Sequence, residues 1–241
     1  SRDVYGINTI IIKNLVNIIV IPLTRIINKC IRDSVFPDQL KIAKVIPVLK
    51  KNDPNVVTNY RPISLVPILS KIFETILKVQ LSAYLEGNDL LHSSQFGFRS
   101  NRSTCLAVNT ICNEVLRAFE KKSYSLMLSF DLSKAFDCVD HSILLQKLKY
   151  YSVSTNSIML TESYLSTRTQ FVHFNNVNSV VKKIYMGVPQ GSILGPLLFL
   201  LYINDLPNCI TSGKCILFAD DTSVIINNRN PVELNLVKCA V

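Results

Sequence analysis

A chain of 241 residues with 48% apolar side chains can bury a substantial core, which excludes an intrinsically disordered protein. Its 26 Lys and Arg residues outnumber 17 Asp and Glu residues, and the formal charge of +9 favours a polyanionic partner such as nucleic acid. The seven cysteines include no Cys-x-x-Cys pair, so no zinc site is predicted and a reduced, intracellular protein is expected.

The N-terminal part of the chain is predicted to be mainly helical. Residues 7–33 predict two buried helices that meet near Pro22, because proline lacks the amide hydrogen that a helix interior needs. The alternative is a membrane segment, but Lys13 and other polar residues interrupt the run, and a bilayer span needs about 20 nearly continuous apolar residues. Residues 44–50 predict an edge strand, a position in which Pro47 is tolerated.

Helices, short strands and hairpins alternate irregularly through the rest of the chain. Apolar spacing predicts helices at residues 71–85 and 104–119, after Asp140, and from Gly195-Pro196 onward. Strands are predicted at 125–131 and in two hairpins, 169–174 with 180–185 and 215–218 with 223–226. Because no regular strand–helix–strand rhythm appears, the predicted fold class is α+β.

Two acidic positions follow apolar strands. Asp131 ends the predicted strand at 125–131, and Asp220-Asp221 forms the tip of the second hairpin. A carboxylate in apolar surroundings is costly unless it is paired or binds a metal, and hard carboxylates suit Mg²⁺. Because neighbouring strand residues point to opposite faces, we expect Asp220 to share a face with Asp131 and Asp221 to be the weaker ligand. Taken alone, an ordinary polar turn at Asp220-Asp221 is the simpler interpretation.

Six short strings place these acids in a wider pattern. They are Asn59–Leu65 (NYRPISL), Gln95–Arg99 (QFGFR), Asp131–Asp137 (DLSKAFD), Gly187–Pro196 (GVPQGSILGP), Tyr202–Leu206 (YINDL) and Phe218–Asp221 (FADD). Each string is moderately specific, but their order and spacing together are very specific. The chain resembles the reverse transcriptases of retrotransposons without long terminal repeats, and within them the jockey-like group.

The resemblance implies a polymerase right hand of the α+β class. N-terminal helices and fingers are expected at residues 1–124 and the palm at 125–241, with an antiparallel palm sheet packed with helices. The thumb is expected to be missing, because family members continue past the position of Val241 into a primer-gripping hairpin and a helical thumb. A fragment with little activity on its own is therefore expected.

The implied function is that of an RNA-directed DNA polymerase, which adds deoxynucleotides to a primer 3′-hydroxyl by two-metal catalysis. The implied cofactor is a pair of Mg²⁺ ions, with Mn²⁺ as an alternative. The implied partners are an RNA template, a DNA primer or target and deoxynucleoside triphosphates, without a stable membrane partner. The expected location is intracellular, in the cytoplasm and nucleus.

The metal ligands are assigned by the resemblance. Asp131 and Asp220 match the metal-binding pair of the family, and the Leu132 carbonyl is a candidate for a further ligand. Asp221 matches the second acid of the hairpin and completes the expected catalytic set.

The resemblance also assigns the nucleotide and template contacts. Arg61 is expected to bind the triphosphate, Phe136 to exclude a 2′-hydroxyl, and Gln190 with Gly191 to meet the forming base pair. Arg99 is expected to contact the template. The alternatives are a surface arginine at Arg61, a core ring at Phe136 and a simple turn at Gln190-Gly191.

Two other functions and one departure from the family remain open. A non-catalytic nucleic-acid-binding remnant would keep the basic surface, and a nucleotidyl cyclase would share the palm design. The fingers strings around Arg61 and Arg99 disfavour the cyclase. Family members usually have a glycine just after the Tyr150-Tyr151 region, where this chain has Ser152 with Ser154 close behind.

Overall fold

The computed structural model describes residues 2–50 and 53–237, which divide into two compact units. The first unit comprises Ser1–Tyr84 and Phe136–Leu198, and the second comprises Leu85–Ala135 and Phe199–Val241. Helices mixed with mainly antiparallel strand pairs confirm the α+β class. The predicted boundary between residues 124 and 125 falls within the second unit, so the division into fingers and palm stays a prediction.

Helix α1 (Thr9–Asp33) differs from the predicted pair of buried helices. It is a single helix that continues through Pro22, since the missing amide removes one hydrogen bond without ending the helix. The Asn8 side chain caps its start, and Ser34 ends it in a left-handed conformation. Ile27 is buried, but most of the helix is exposed. By length and apolar composition α1 could cross a membrane, although core helices and signal sequences pass the same test.

Strand β1 (Ile42–Leu49) lies inside the sheet of the first unit. It pairs antiparallel with β2 (Tyr60–Leu65) and, through its first four residues, parallel with β4 (Thr169–Phe174). The prediction of an edge strand at residues 44–50 is therefore wrong at Lys44 and Val45, which pair with strands on both sides. Pro47 lies beyond the stretch that pairs with β4, where its missing amide leaves no ladder bond unmade on that side.

The hairpin predicted after β4 is present with a shorter second arm. Strand β5 (Val177–Asn178) pairs with the end of β4, and β6 (Lys182–Lys183) pairs with its start. Asn175 and Asn176 have φ values of 48° and 63°, as a two-residue turn of the primed type requires. The predicted strand at 180–185 is thus reduced to β6.

Four further helices contribute to the first unit. They are α2 (Ile68–Gly87) and α6 (Gly195–Tyr202), whose last residues belong to the second unit, and α4 (His141–Tyr150) and α5 (Thr155–Leu165). Phe36 stacks on Phe73 of α2 and meets Tyr164 of α5 edge-on, with ring centroids 4.9 and 5.0 Å apart. These fully buried rings join α2 and α5 in the core of the unit.

The second unit is built around a three-stranded antiparallel sheet in the order β3–β8–β7. Its strands are β3 (Tyr124–Asp131), β7 (Lys214–Phe218) and β8 (Asp221–Asn228), and its helices are α3 (Thr104–Glu120) and α7 (Pro231–Val237). Ala107 of α3 packs with Phe96, Ile216 and Ile225 in a buried cluster. This packing fixes α3 against the sheet that carries the three candidate acids.

Candidate active site

The strand pairing of the second unit brings two of the predicted acids face to face. In the β3–β8 ladder, Asp131 is the direct partner of Asp221, so both side chains start from the same face of the sheet. Asp220 lies in the turn between β7 and β8 and not in a strand. The alternation that favoured Asp220 over Asp221 therefore does not apply, because the pleat does not set the direction of a turn residue.

The surroundings of the acids are more polar than the sequence indicated. Asp131 and Asp221 are exposed and Asp220 is half-buried, so water reaches all three carboxylates. Within residues 2–50 and 53–237, no group of three or more His, Cys, Asp or Glu side chains is close enough to hold a metal ion. Two opposed carboxylates still suit Mg²⁺, which takes few protein ligands and keeps several waters. The N–H of Ala135 approaches the Leu132 carbonyl at 3.3 Å.

The turn before the acids is held by Gln95, whose role the sequence interpretation missed. The Gln95 Oε1 accepts the backbone N–H groups of Gly97 (2.8 Å) and Ala219 (3.0 Å), and its Nε2 lies 3.4 Å from the Ala219 carbonyl oxygen. Ala219 has a φ of 57°, a left-handed conformation that costs an alanine about 1 kcal/mol. The buried carboxamide thus binds the strained residue next to Asp220.

The segment around Gln95 also extends the sheet beyond β7. The Phe96 N–H bonds to the Leu217 carbonyl, and the Leu217 N–H bonds to the Ser94 carbonyl, at 2.8 and 2.9 Å. A Cβ on Gly97 would lie 2.3 Å from the Ala219 nitrogen, so a glycine is required there. The string QFGFR was a sequence signal for this contact, but its partner 120 residues later was not predictable from local spacing.

Arg99 is committed to contacts within the second unit. Its guanidinium forms a two-pronged ion pair with Glu86, at 3.0 and 2.6 Å, and donates to the carbonyls of Leu91 and His92. The side chain is only 8% exposed. The hydrogen bond from Arg99, more than its charge, holds the pKa of Glu86 below its usual range. A template contact by Arg99 stays a prediction, and this geometry does not favour it.

The loop that carries Gln190 and Gly191 lies in the first unit. Gly191 has a φ of 117°, and a Cβ there would lie 2.5 Å from the Ser64 carbonyl oxygen of β2. The Ser64 N–H in turn donates to the Gln190 carbonyl at 2.8 Å. Gly191 therefore combines a positive φ with a close approach to the backbone of β2, and both features favour glycine.

The beginning of this loop is bound to the segment that contains Phe136. The Val188 N–H donates to the Phe136 carbonyl at 2.8 Å, and the Gly187 N–H donates to the Val139 carbonyl at 2.7 Å. The Gln190 carboxamide lies 3.2 Å from both carboxylate oxygens of Asp137. Asp137 was part of the recognised string but had been given no role.

Arg61 lies on β2, opposite Val48 and three residues before Ser64. Its side chain is exposed, and among the described residues it forms no ion pair. An exposed guanidinium keeps its fork of donors available to phosphate oxygens.

The predicted site residues thus fall into two groups, each described within its own unit. Asp131, Leu132, Asp220 and Asp221 belong to the second unit together with Arg99. Arg61, Phe136, Gln190 and Gly191 belong to the first unit, where backbone hydrogen bonds join the loop to both β2 and Phe136.

Comparison with known proteins shows the family to which the chain is similar. A family model described as reverse transcriptase (RNA-dependent DNA polymerase) matches residues 48–240. The chain is 35% identical over 212 residues to a probable RNA-directed DNA polymerase from transposon X-element of Drosophila melanogaster, covering 86% of this chain and 23% of that protein. It is 34% identical over 219 residues to the RNA-directed DNA polymerase from mobile element jockey of Drosophila funebris, covering 88% and 24%.

Two further facts define the extent of this likeness. The chain spans about a quarter of the length of the curated relatives it matches. Its fold is similar to the structure of apo telomerase from Candida tropicalis truncated from the C-terminal domain, with a TM-score of 0.56, 18% identity, and coverage of 85% of this chain and 47% of that chain. The family match over residues 48–240 confirms the resemblance drawn from the six strings, and the chain belongs to the reverse transcriptase family.

Proposed function

We propose that this chain contains fingers and palm of an RNA-directed DNA polymerase of a retrotransposon without long terminal repeats. The observation that carries the proposal is the pairing of Asp131 with Asp221 beside the turn that holds Asp220, within the family match. The reaction is the addition of deoxynucleotides to a primer 3′-hydroxyl with release of pyrophosphate. In this reaction positioning and charge stabilisation supply most of the catalysis.

Asp131, Asp220 and Asp221 would hold two Mg²⁺ ions, with Mn²⁺ as an alternative and the Leu132 carbonyl as a further donor. The ions would activate the primer hydroxyl and neutralise charge on the leaving pyrophosphate. The chain itself supplies the ordered hairpin, because Gln95 holds Ala219 and the β3–β8 ladder holds Asp221 opposite Asp131.

Four residues of the first unit would select the nucleotide and contact it or the forming base pair. Arg61 offers its exposed guanidinium to the triphosphate, and the ring of Phe136 would collide with a 2′-hydroxyl. Gln190, held by Asp137, would contact the forming base pair with Gly191. The hydrogen bond from the Val188 N–H to the Phe136 carbonyl supports a shared function for Phe136 and the loop that carries Gln190.

The proposed partners are an RNA template, a DNA primer or target and deoxynucleoside triphosphates. The formal charge of +9 supports a polyanionic partner, whose binding should weaken as salt rises. We further propose an intracellular location, in the cytoplasm and nucleus, without a stable membrane partner. Membrane fractionation tests the last point, because helix α1 is long and apolar enough to cross a bilayer.

Primer extension on an RNA template tests the proposal in the longest natural polypeptide that carries residues 1–241. Asp131→Asn should lower extension by at least about 1,000-fold, because a lost metal ligand removes several kcal/mol of transition-state stabilisation. Template–primer affinity should change by less than about threefold, since the residue is not a template contact. Asp89→Asn, an exposed position with positive φ that asparagine tolerates, is the matched control.

Two results of these measurements would count against the proposed function. Extension by Asp131→Asn within tenfold of the natural protein would contradict the metal assignment. RNA binding without any extension by the natural protein would favour the non-catalytic remnant.

A further inference from the structure

Glu74 is a fully buried carboxylate that binds the end of the loop carrying Gln190 and Gly191. It lies on α2 with 0% exposure. Its Oε2 accepts the backbone N–H groups of Ile193 and Leu194, at 2.7 and 3.1 Å, and its Oε1 accepts the Ser70 hydroxyl at 2.8 Å. A buried carboxylate is costly unless such hydrogen bonds compensate for lost hydration, so this site is specific for an acceptor.

The two amides bound by Glu74 lie where the loop becomes helix α6. The Leu194 carbonyl accepts the first helical bond, from Leu198, and the Gly195 N–H bonds to the Ser192 hydroxyl. A negative charge at a helix N-terminus is favoured by the unpaired N–H groups and by the helix dipole. Glu74 therefore anchors both the start of α6 and the end of the loop.

The loop is thereby held at three places within the first unit. Residues 136–139 bind its beginning through Gly187 and Val188, Ser64 binds its centre at Gln190, and Glu74 binds its end. The Gly191 backbone has little room against Ser64, so a displacement at the end of the loop cannot be absorbed at its centre. Asp137 also contacts the loop, through the Gln190 carboxamide, whereas the Glu74 side chain binds the loop backbone itself at two successive N–H groups.

Tyr164 and Arg168 are two further polar side chains buried in the core of the first unit. Burial, and after it the negative charge of Glu74, raise the pKa of Tyr164 above its usual range, which indicates that the two groups are neighbours. The guanidinium of Arg168 lies 4.8 Å from the centre of the Tyr164 ring and is 1% exposed. The Arg168 guanidinium therefore interacts with the Tyr164 ring and also donates to the Tyr164 carbonyl at 3.1 Å.

We propose that Glu74 is a positioning residue that sets the place of the Gln190–Gly191 loop and thereby the affinity for the incoming nucleotide. The inference rests on the proposed function, because it uses the assignment of that loop to the forming base pair. Glu74 lies on α2, a helix that contains none of the recognised strings, so the proposal adds a residue that the resemblance did not assign. Loss of the carboxylate should free the loop end and raise the nucleotide KM, while binding of template and primer persists.

Glu74→Met and Glu74→Gln form the test pair in the longest natural polypeptide carrying this chain. Methionine keeps the shape but leaves two amides without an acceptor, so the deoxynucleotide KM should rise by about tenfold or more. Glutamine can present one oxygen to both amides and its NH₂ to the Ser70 hydroxyl, so its KM should stay within about threefold of the natural value. Ser70→Ala removes the other bond of Glu74 and serves as the control.

The split between KM and kcat separates positioning from general damage. A partly unfolded Glu74→Met sample would contain fewer active molecules, which lowers apparent kcat and leaves KM unchanged. An unchanged KM in Glu74→Met, with soluble and folded protein, would overturn the proposal. A KM raised equally by Ser70→Ala would also overturn it, because the loop amides would then not be the cause.

Hydrogen exchange of the loop provides a readout that does not depend on polymerase activity. The amides of Ile193 and Leu194 should exchange at least about tenfold faster in Glu74→Met than in the natural protein, and nearly normally in Glu74→Gln. Unchanged exchange in Glu74→Met would contradict the anchoring role even if the enzyme were inactive. If Glu74→Met exchanges faster but the natural protein never extends a primer, the anchoring role of Glu74 stands and the proposed polymerase function is contradicted.

Discussion

Asp131 and Asp221 are direct partners across the β3–β8 ladder, so two negative charges start from adjacent positions on one face. Like charges in this arrangement destabilise a sheet, and a bound cation would relieve the repulsion. We therefore expect Mg²⁺ to stabilise the folded protein. At ten times its dissociation constant, Mg²⁺ should add about 1.4 kcal/mol to the free energy of unfolding, which corresponds to a few degrees in Tm.

Thermal unfolding with and without Mg²⁺ measures this effect. Asp131→Asn should unfold at the same or a higher temperature than the natural protein without Mg²⁺, and should lose most of the Mg²⁺-dependent increase. Asp89→Asn should keep that increase, because Asp89 lies outside the strand pair. An equal Mg²⁺ effect in all three proteins would place the metal elsewhere.

The hydrogen bonds of the Gln95 carboxamide predict that Gln95 affects Mg²⁺ binding by the acids. Gln95→Leu leaves the N–H groups of Gly97 and Ala219 without their acceptor, so the turn before Asp220 should lose its fixed conformation. Primer extension should fall by about tenfold or more, and the Mg²⁺ concentration for half-maximal activity should rise. Gln146→Leu, an exposed change on α4, is the control. A fall in activity without any change in Mg²⁺ dependence would indicate simple destabilisation.

Phe136 is expected to determine the choice of sugar. Phe136→Val removes the ring but keeps an apolar side chain, so ribonucleotides should be used at least about tenfold more readily relative to deoxynucleotides. Single-nucleotide incorporation with matched ribo- and deoxynucleotides measures the ratio. Phe119→Val changes a ring that is 79% exposed and should leave the ratio unaltered. An unchanged ratio in Phe136→Val would return Phe136 to a purely structural role.

The hydrogen bonds between Glu86 and Arg99 predict a dependence of stability on pH. Because Arg99 lowers the pKa of Glu86 in the folded state, the stabilisation is fully present above the unfolded pKa near 4.5. It is lost as the pH falls through the lower folded pKa. Urea unfolding from neutral to acid pH should therefore show a smaller loss of stability for Glu86→Gln than for the natural protein. Exposed Glu120→Gln should follow the natural protein, and parallel curves for all three would exclude this linkage.

Local pattern predicted most elements of the second unit, because their signals are contained in short stretches. The apolar runs before Asp131 and Asp220, and the apolar spacing of α3, lie within the structures they specify. The register between β3 and β8 was not predictable in this way. It depends on which residues of two strands about 90 positions apart face each other, and this pairing decides that Asp221 lies opposite Asp131.

Gln95 and Glu74 were also not predictable from local sequence pattern, because their partners are even more distant in the chain. Gln95 bonds to Ala219 across 124 positions, and Glu74 bonds to Ile193 across 119. A glutamine or glutamate on a mixed polar and apolar segment is ordinarily a surface residue, and burial distinguishes these two. Pro22 shows the opposite error, a local signal that predicted too much. The proline predicted a break between two helices, but α1 continues through it as one helix.

Ser152 lies where the resemblance led us to expect a glycine, and its backbone conformation makes that expectation testable. Its φ is 56°, and its N–H and that of Val153 bond back to the carbonyls of Lys149 and Leu148, which closes the end of α4. This left-handed position favours glycine, so Ser152→Gly should raise the free energy of unfolding by about 0.5–1 kcal/mol. Ser154→Ala should lower it by about 1 kcal/mol, because the Ser154 side chain caps α5. Urea unfolding measures both changes, and a destabilised Ser152→Gly would show that the serine makes a contact worth more than the strain it bears.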